Sequence, residues 1–272
     1  MSLLPELSSP YSLRDEQVAE YRRNGHSLLR GICSQEEVAA YCPVIREAMI
    51  RQGKLQQQKK DETDDAYARA FTQRINLWTI ERRVERLVRS KRFARIAARL
   101  SGAKSIRLYR DQALCKEPGS GPTPWHQDQY YWPFDTQQAV TIWLALTDIS
   151  VDMGPMKFAS GSHLGGDIGG GKITEGAQSN FNELVGQRGF EVTEPVALFA
   201  GDATLHNGWM LHCANGNLTN RPREAMTITY IADGTRIEQP TNDNQRMDLE
   251  AFLPDQEPGE LVGSRLNPVL LS

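Results

Sequence analysis

The sequence predicts a mainly β fold, a sandwich or barrel fronted by helices, and three observations carry that reading. Beyond Gly102 the chain breaks into short apolar or alternating runs of strand length, punctuated by Gly, Pro, Asn and Asp. Before Gly102 the pattern is helical, with capping signals. At 272 residues the chain is long enough for one large domain or two small ones, and all-β barrels of this size are common. We therefore expect a single domain, 1–272, with a mainly helical scaffold (1–102), most of the β core (103–233) and a C-terminal extension (234–272).

Residues 1–11 read as a loose arm. Ser12 and Asp15 have capping-box spacing, and Val18, Tyr21 and Arg22 carry a helix to Asn24. Asn24-Gly25 breaks it, and His26 to Arg30 reads as a short strand. A second box, Ser34 with Glu37, opens a helix through Val38, Tyr41, Val44, Ile45 and Ala48 to about Gln52. Gln56 to Asp65 is polar and aperiodic: a solvated loop, with a lid as its functional alternative. Phe71 to Trp78 alternates and reads as extended. Ile80 to Leu100 shows one helical stripe (Val84, Leu87, Val88, Ile96, Leu100). Its other faces are rich in arginine, which we read as a solvated basic surface balanced by acids rather than a phosphate or coenzyme-A site.

The predicted strands are Ile106–Tyr109, Gln112–Lys116, Ala139–Thr147, Met156–Ala159, Val196–Phe199, Ala203–His206, Trp209–Cys213 and Ala225–Ile231. Residues 160–190, with Gly161, Gly165, Gly166, Gly169, Gly170 and Gly171, form a long loop, a length usually tied to function. The tail after Gly234 shows no clear element, and there is no internal repeat.

Charge narrows the function classes. With 31 basic and 34 acidic residues and a formal net charge of −3, nothing draws the protein to nucleic acid or membranes. No apolar run approaches the roughly 18 residues that span a bilayer. The N-terminal stretch lacks the basic and apolar regions of a secretory signal. Cys33, Cys42, Cys115 and Cys213 form no Cys-x-x-Cys pair, which fits reduced thiols in a cytoplasmic protein.

The chemistry gathers at Trp125-His126-Gln127-Asp128. On a strand, residues two apart share a face, so His126 and Asp128 point together. A second imidazole from a distant strand completes two nitrogens and one oxygen on one side of a metal, the arrangement that holds non-haem Fe(II) and leaves positions open. Trp125, Tyr130, Tyr131 and Trp132 crowd this segment as a small-molecule pocket would require. Two histidines are candidates for the second imidazole, and periodicity alone does not choose between them. The residues after His212 favour it over His206: a turn at Asn215-Gly216-Asn217, then a returning strand that brings Arg223 beside it. A guanidinium there suits a dicarboxylate. His206 is then a structural neighbour.

These segments resemble the phytanoyl-CoA dioxygenase family of Fe(II)/2-oxoglutarate oxygenases. The resemblance runs to about residue 233. It is carried by Arg107-Leu-Tyr-Arg-Asp-Gln-Ala, Lys116-Glu-Pro-Gly, Trp125-His-Gln-Asp-Gln-Tyr-Tyr-Trp-Pro, Met153-Gly-Pro-Met, Ser160-Gly-Ser-His, Gly201-Asp and His212-x4-Asn217-x5-Arg223. It implies a double-stranded β-helix (jelly roll, cupin-like) with the N-terminal helices packed on one sheet. It places His126, Asp128 and His212 on the iron ligands and Arg223 on the arginine that binds 2-oxoglutarate. Trp143, Gln112 and Gln73 fall at the co-substrate site. Ala214 stands where some members have a serine, so one hydroxyl contact is missing. Halogenating relatives lack the carboxylate that Asp128 supplies.

The implied activity is a dioxygenase using Fe(II), 2-oxoglutarate and O2, coupling decarboxylation to succinate and CO2 with hydroxylation of a small organic molecule. Tyr130, Tyr131, Trp132 and His163 are the candidates for substrate contact. A non-redox jelly-roll metalloenzyme such as an isomerase, or a catalytically silent binding protein, are the competing classes. Arg223 speaks against the first and the intact ligand set against the second.

Overall fold

The computed structural model describes residues 4–57, 71–168 and 177–271. Among the described residues ten strands run β1 (His26–Leu29), β2 (Thr72–Ile75), β3 (Ile106–Lys116), β4 (Thr123–His126), β5 (Val140–Ala145), β6 (Met156–Phe158), β7 (Ala203–Asn207), β8 (His212–Ala214), β9 (Arg223–Ala232) and β10 (Val269–Leu271). The helices are α1 (Asp15–Asn24), α2 (Gln35–Gln57), α3 (Arg82–Val88), α4 (Lys91–Ser101), α5 (Ala177–Arg188) and α6 (Asp243–Phe252). A large antiparallel sheet has the order β1-β7-β5-β9-β3-β10, with β2 also on β3. A small sheet, β4-β8-β6, faces it. The result is the jelly-roll-like architecture expected.

The side-chain period of two assigns the faces of the large sheet. Val140, Ile142, Leu144, Ala203, Leu205, Met226, Ile228 and Tyr230 are buried in one apolar cluster with Val38, Ile45, Phe93, Ile96 and Leu100 of the helices. Burying each Val, Leu, Ile, Phe or Met side chain among them contributes about 1.5–3 kcal/mol. Their alternates Thr141, Trp143, His206, Arg223 and Thr227 turn the other way and line a cleft. A second apolar cluster joins Trp125, Phe158 and Leu211 with Trp143 and Ala225 of the large sheet.

Several expectations need correction. The first helix starts at Asp15, and its reciprocal cap is Gln17 accepting from the Arg14 N–H at 3.0 Å, not the Ser12–Asp15 box. The Ser34–Glu37 box is present, with Glu37 accepting from Ser34 N–H at 2.8 Å. The single stripe from Ile80 to Leu100 is two helices, broken because Ser90 caps α4 through the Phe93 N–H. Its basic face is balanced by acids, Arg83 with Glu81, Arg89 with Glu85 and Arg99 with Asp15. Arg92, however, is buried and pairs with Glu37 through both guanidinium ends, at 2.7 and 2.9 Å.

Of Phe71–Trp78, only Thr72–Ile75 is strand, and Leu77–Thr79 is a 3-10 turn capped by the buried Asp111 carboxylate. The runs at Ile106 and Gln112 are one strand with a bulge near Tyr109. Val196–Phe199 forms no strand, only a bridge from Leu198 to Ile149. Within 160–190 lies α5, so that stretch is not all loop. Most of the Gln56–Asp65 segment, and Gly169, Gly170 and Gly171, lie outside the described residues. The tail is not shapeless. Asn242 caps α6, and Asp248 on it accepts from Tyr109 Oη and, at 2.8 Å, from Arg110 Nη1. Among the described residues no helix is long and apolar enough to cross a membrane, and the four cysteines are unpaired.

Candidate metal centre

His126 ends β4 and His212 begins β8, and the two are register partners in the small sheet. Their rings lie 4.1 Å apart between centroids. Asp128 is not in the strand. It opens a 3-10 turn, Asp128–Tyr131. It still shares a side with His126 because Gln127 between them is extended (φ −116°, ψ 125°). Gln127 holds that shape by donating to the carbonyls of Gly166 at 2.8 Å and Trp209 at 2.6 Å. C-terminal α6 supports the turn from outside, since Asn242 and Gln245 side chains donate to the Tyr130 carbonyl at 3.4 and 3.3 Å.

The donor atoms converge. One ligand atom each from His126, Asp128 and His212 lies within 4.8 Å of the others. Asp128 Oδ1 is 3.7 Å from His126 Nε2 and 3.9 Å from His212 Nε2. Each ring is oriented by its other nitrogen: His126 Nδ1 donates to the Pro124 carbonyl at 2.8 Å, and His212 Nδ1 to Met210 at 2.9 Å. That backbone bond places the proton on Nδ1 and turns the Nε2 lone pair inward, as a metal ligand requires. Burial lowers the pKa of both imidazoles, His212 the more because the other histidines crowd it, so both are neutral near pH 7. Burial opposes ionisation of Asp128, but the His206 hydrogen bond and the surrounding imidazoles hold its carboxyl well below the usual range. Two neutral imidazoles and one carboxylate, with open space beside them, are a chemically fitting set for Fe(II).

Arg223 begins β9 and is 2% exposed. Its guanidinium lies over the Trp143 ring at 5.1 Å and donates to the Gly154 carbonyl. It forms no ion pair among the described residues, and its Nε has no hydrogen-bond partner there. Burial pushes its pKa down to about 10. Lys116, its register partner, is fully buried, and burial with the neighbouring Arg223 charge lowers it to about 7. Lys116 Nζ donates to the carbonyls of Gly121 at 2.7 Å and Asn215 at 3.1 Å. Arg223, a buried guanidinium with no carboxylate partner among the described residues, makes the cleft it lines complementary to an anion.

Three sequence motifs meet here. Gly154 (φ 70°) admits no side chain, since a Cβ would lie 2.1 Å from the Asn215 carbonyl oxygen. Asn217 Nδ2 donates to the carbonyls of Lys116 at 3.0 Å and Arg221 at 2.7 Å, fixing the turn before Arg223. Lys116-Glu-Pro-Gly, Met153-Gly-Pro-Met and His212-x4-Asn217-x5-Arg223 are thus one polar knot under the cleft. The motifs are visible in the sequence, but the roles of Lys116 and Asn217 in tying them together are not.

Gln112, Trp143, Thr227 and Ala214 line the cleft beside Arg223 and the three converging residues. Gln73 does not line it; its Oε1 accepts from Gln112 Nε2 at 3.5 Å. Phe71, Thr141 and Met156, not anticipated, also line it. Tyr130, Tyr131, Trp132 and His163 do not. Trp132 is 1% exposed and packs with Tyr109 and Phe134 in a third apolar cluster. His163 is buried, with Nε2 3.3 Å from the Arg22 carbonyl.

A sequence model of one family, phytanoyl-CoA dioxygenase (PhyH), matches residues 21–225. The chain is 26% identical over 232 residues to a probable alpha-ketoglutarate-dependent hypophosphite dioxygenase of Stutzerimonas stutzeri, covering 80% of this chain and 78% of that protein. It is 24% identical over 238 residues to the ectoine dioxygenase of Bordetella parapertussis, covering 80% and 75%. Among solved structures, the epimerase SnoN in complex with Fe3+, alpha ketoglutarate and nogalamycin RO superposes with a TM-score of 0.74 at 26% identity, covering 94% of this chain and 98% of that one. The non-heme alpha ketoglutarate-dependent carbocyclase SnoK shares the fold, with a TM-score of 0.75 at 23% identity over 96% and 99%.

Proposed function

The chain belongs to the phytanoyl-CoA dioxygenase family and is an Fe(II)/2-oxoglutarate-dependent dioxygenase, and from that premise we propose that it hydroxylates a small organic molecule at the centre built from His126, Asp128 and His212. In this reading those three residues hold the iron, and Arg223 binds the distal carboxylate of 2-oxoglutarate. The observation that carries it is the juxtaposition in one cleft of three convergent donor atoms and a buried guanidinium with no carboxylate partner among the described residues.

When bound, iron with 2-oxoglutarate and O2 supplies the oxidative chemistry, in which the co-substrate ends as succinate and CO2 and a C–H bond is oxidised. The chain's own residues bind, orient and shield. Arg223 offers charged donors to a carboxylate, each such hydrogen bond worth roughly 1.5–3 kcal/mol. Trp143 fixes the guanidinium from one face, and the Lys116 knot fixes the backbone that carries it. Gln112 and Thr227, joined at 3.2 Å, present polar atoms along the same wall. Ala214 contributes only its methyl group there. Leu114, Trp143 and Met156 line the cleft with apolar surface that limits water around the co-substrate.

The test is conversion of 2-oxoglutarate to succinate, with and without Fe(II), in the wild type, His212→Ala and Arg223→Ala. The reading requires turnover that His212→Ala abolishes and Arg223→Ala restores only at high co-substrate concentration. Turnover unaffected by either substitution would sink it. Similarity to an epimerase makes stereochemical inversion the second reading of the outcome. Reaction under 18O2 separates the two, since hydroxylation places one labelled oxygen in the product and epimerisation places none.

A further inference from the structure

Asp128 has two oxygens, and the fold treats them differently. Oδ1 faces His126 Nε2 and His212 Nε2, at 3.7 and 3.9 Å. Oδ2 is turned toward the large sheet, where His206 Nε2 lies at 3.1 Å and Thr141 Oγ1 at 3.4 Å. Thr141 Oγ1 is in turn 3.1 Å from Thr229 Oγ1. With the carboxylate ionised, His206 Nε2–H and Thr141 O–H both donate to Oδ2, and Thr141 is free to accept from Thr229.

His206 cannot readily turn elsewhere. It is 1% exposed on β7, paired in register with His26 on one side and Thr141 on the other. Its ring sits between His212, with centroids 4.5 Å apart, and Phe158, at 5.7 Å. Its Nδ1 has no hydrogen-bond partner among the described residues, so the contact with Asp128 is what offsets the burial of a polar ring. It is also not part of the set of donor atoms within 4.8 Å of one another, which comprises His126, Asp128 and His212.

We propose that His206, assisted by Thr141, is a positioning residue that commits Asp128 to the metal through Oδ1 alone. A carboxylate can grip a cation with one oxygen or with both. A two-oxygen grip fills a position that the two-histidine, one-carboxylate set otherwise leaves open to the co-substrates. Donors on Oδ2 occupy its lone pairs and hold the carboxylate plane, so the one-oxygen mode is set by the protein before any metal arrives. The large sheet thereby shapes a centre whose histidine ligands come from the small sheet. This inference rests on the proposed metal centre of His126, Asp128 and His212.

The test is a Co(II) titration of the metal-free, full-length protein, followed by its visible ligand-field absorption, in the wild type, His206→Leu, His206→Gln and Thr141→Val. Outer partners of metal ligands typically contribute 10–100-fold in metal affinity. His206→Leu is expected to lose affinity on that scale and to change the absorption envelope, because a freed Oδ2 alters the coordination. Gln carries an amide N–H that reaches the place of Nε2, so His206→Gln should recover the wild-type envelope and most of the affinity. Thr141→Val should show a smaller loss in the same direction, and it carries the test if His206→Leu does not fold. Wild-type affinity and spectrum in both His206→Leu and Thr141→Val would overturn the proposal. So would a Gln variant no better than Leu, which would leave His206 a packing residue. Absence of Co(II) binding in the wild type would be a separate failure, that of the metal centre itself.

Discussion

The two faces of the large sheet are made by the same strands and obey opposite rules. Toward the helices, β5, β7 and β9 present Val140, Ile142, Leu144, Leu205, Met226, Ile228 and Tyr230, an unbroken apolar surface. Toward the cleft, the alternate residues are Thr141, Trp143, His206, Arg223 and Thr227. Both faces are buried, since every residue of β5, β7 and β9 is. Burying polar and charged groups is unfavourable unless each finds a partner, so apolar residues would serve folding better on the second face. The polar residues of the second face line the cleft, so a substitution should act on stability or on function according to the face it strikes.

The largest effect is expected at the donors facing the cleft. His212→Ala should reduce iron-dependent succinate formation to background, while the thermal midpoint of the metal-free protein stays near wild type. Ile228→Ala on the helix side should do the reverse. It should destabilise the fold by about 2–5 kcal/mol in urea denaturation, with 2-oxoglutarate affinity of the folded protein unchanged. Loss of both properties in either variant would break the division between the faces.

Arg223→Ala should weaken 2-oxoglutarate binding about 10- to 100-fold, on the scale of one charged hydrogen bond. Equilibrium binding to the metal-loaded protein measures it.

Lys116 sharpens the comparison through pH. Its folded pKa of about 7 lies below the ordinary 10.5. Between those values the unfolded chain holds a proton that the folded chain has released, so this group makes the wild type more stable as pH rises through the window. The slope is at most about 1.4 kcal/mol per pH unit. Lys116→Met should lack that gain in denaturant unfolding measured from pH 7 upward. Parallel profiles for the two proteins would show that Lys116 stays protonated. The smallest effect belongs to the scaffold: Ser90→Ala, removing the cap of α4, should cost about 1 kcal/mol and leave turnover per folded molecule unchanged.

Much of this division is legible in the sequence, for reasons that also explain what is not. A strand period of two and a helix period of 3.6 are local signals, and they place most β elements and α2 with its Ser34–Glu37 cap. Local patterns also single out His126, Asp128, His212 and Arg223, which the fold brings to one cleft. Asp128 shares the face of His126 as strand alternation predicts, but for another reason: the strand ends at His126 and extended Gln127 carries the direction onward.

Trp132 departs from its expected place for a long-range reason. Aromatic crowding suggests a pocket wall, yet the ring packs at the Asn207-Gly208 corner, where a Cβ on Gly208 would lie 2.7 Å from it. Nothing in the local sequence of either segment announces that approach. The contact of His206 on β7 with Asp128 in the turn after β4 joins residues far apart in the chain and is equally invisible to periodicity. Helix α6 leaves little trace in the sequence because its amphipathic pattern is weak and its anchor, Asp248 against Tyr109 and Arg110, lies far away in the chain.

The most direct test of a centre that joins iron to 2-oxoglutarate is an anaerobic titration of 2-oxoglutarate into the Fe(II)-loaded protein, followed by visible absorption. We expect a metal-to-ligand charge-transfer band that saturates in the wild type, needs higher 2-oxoglutarate in Arg223→Ala, and is absent in His212→Ala. A wild-type protein that binds Fe(II) yet gives no such band at saturating 2-oxoglutarate would contradict it.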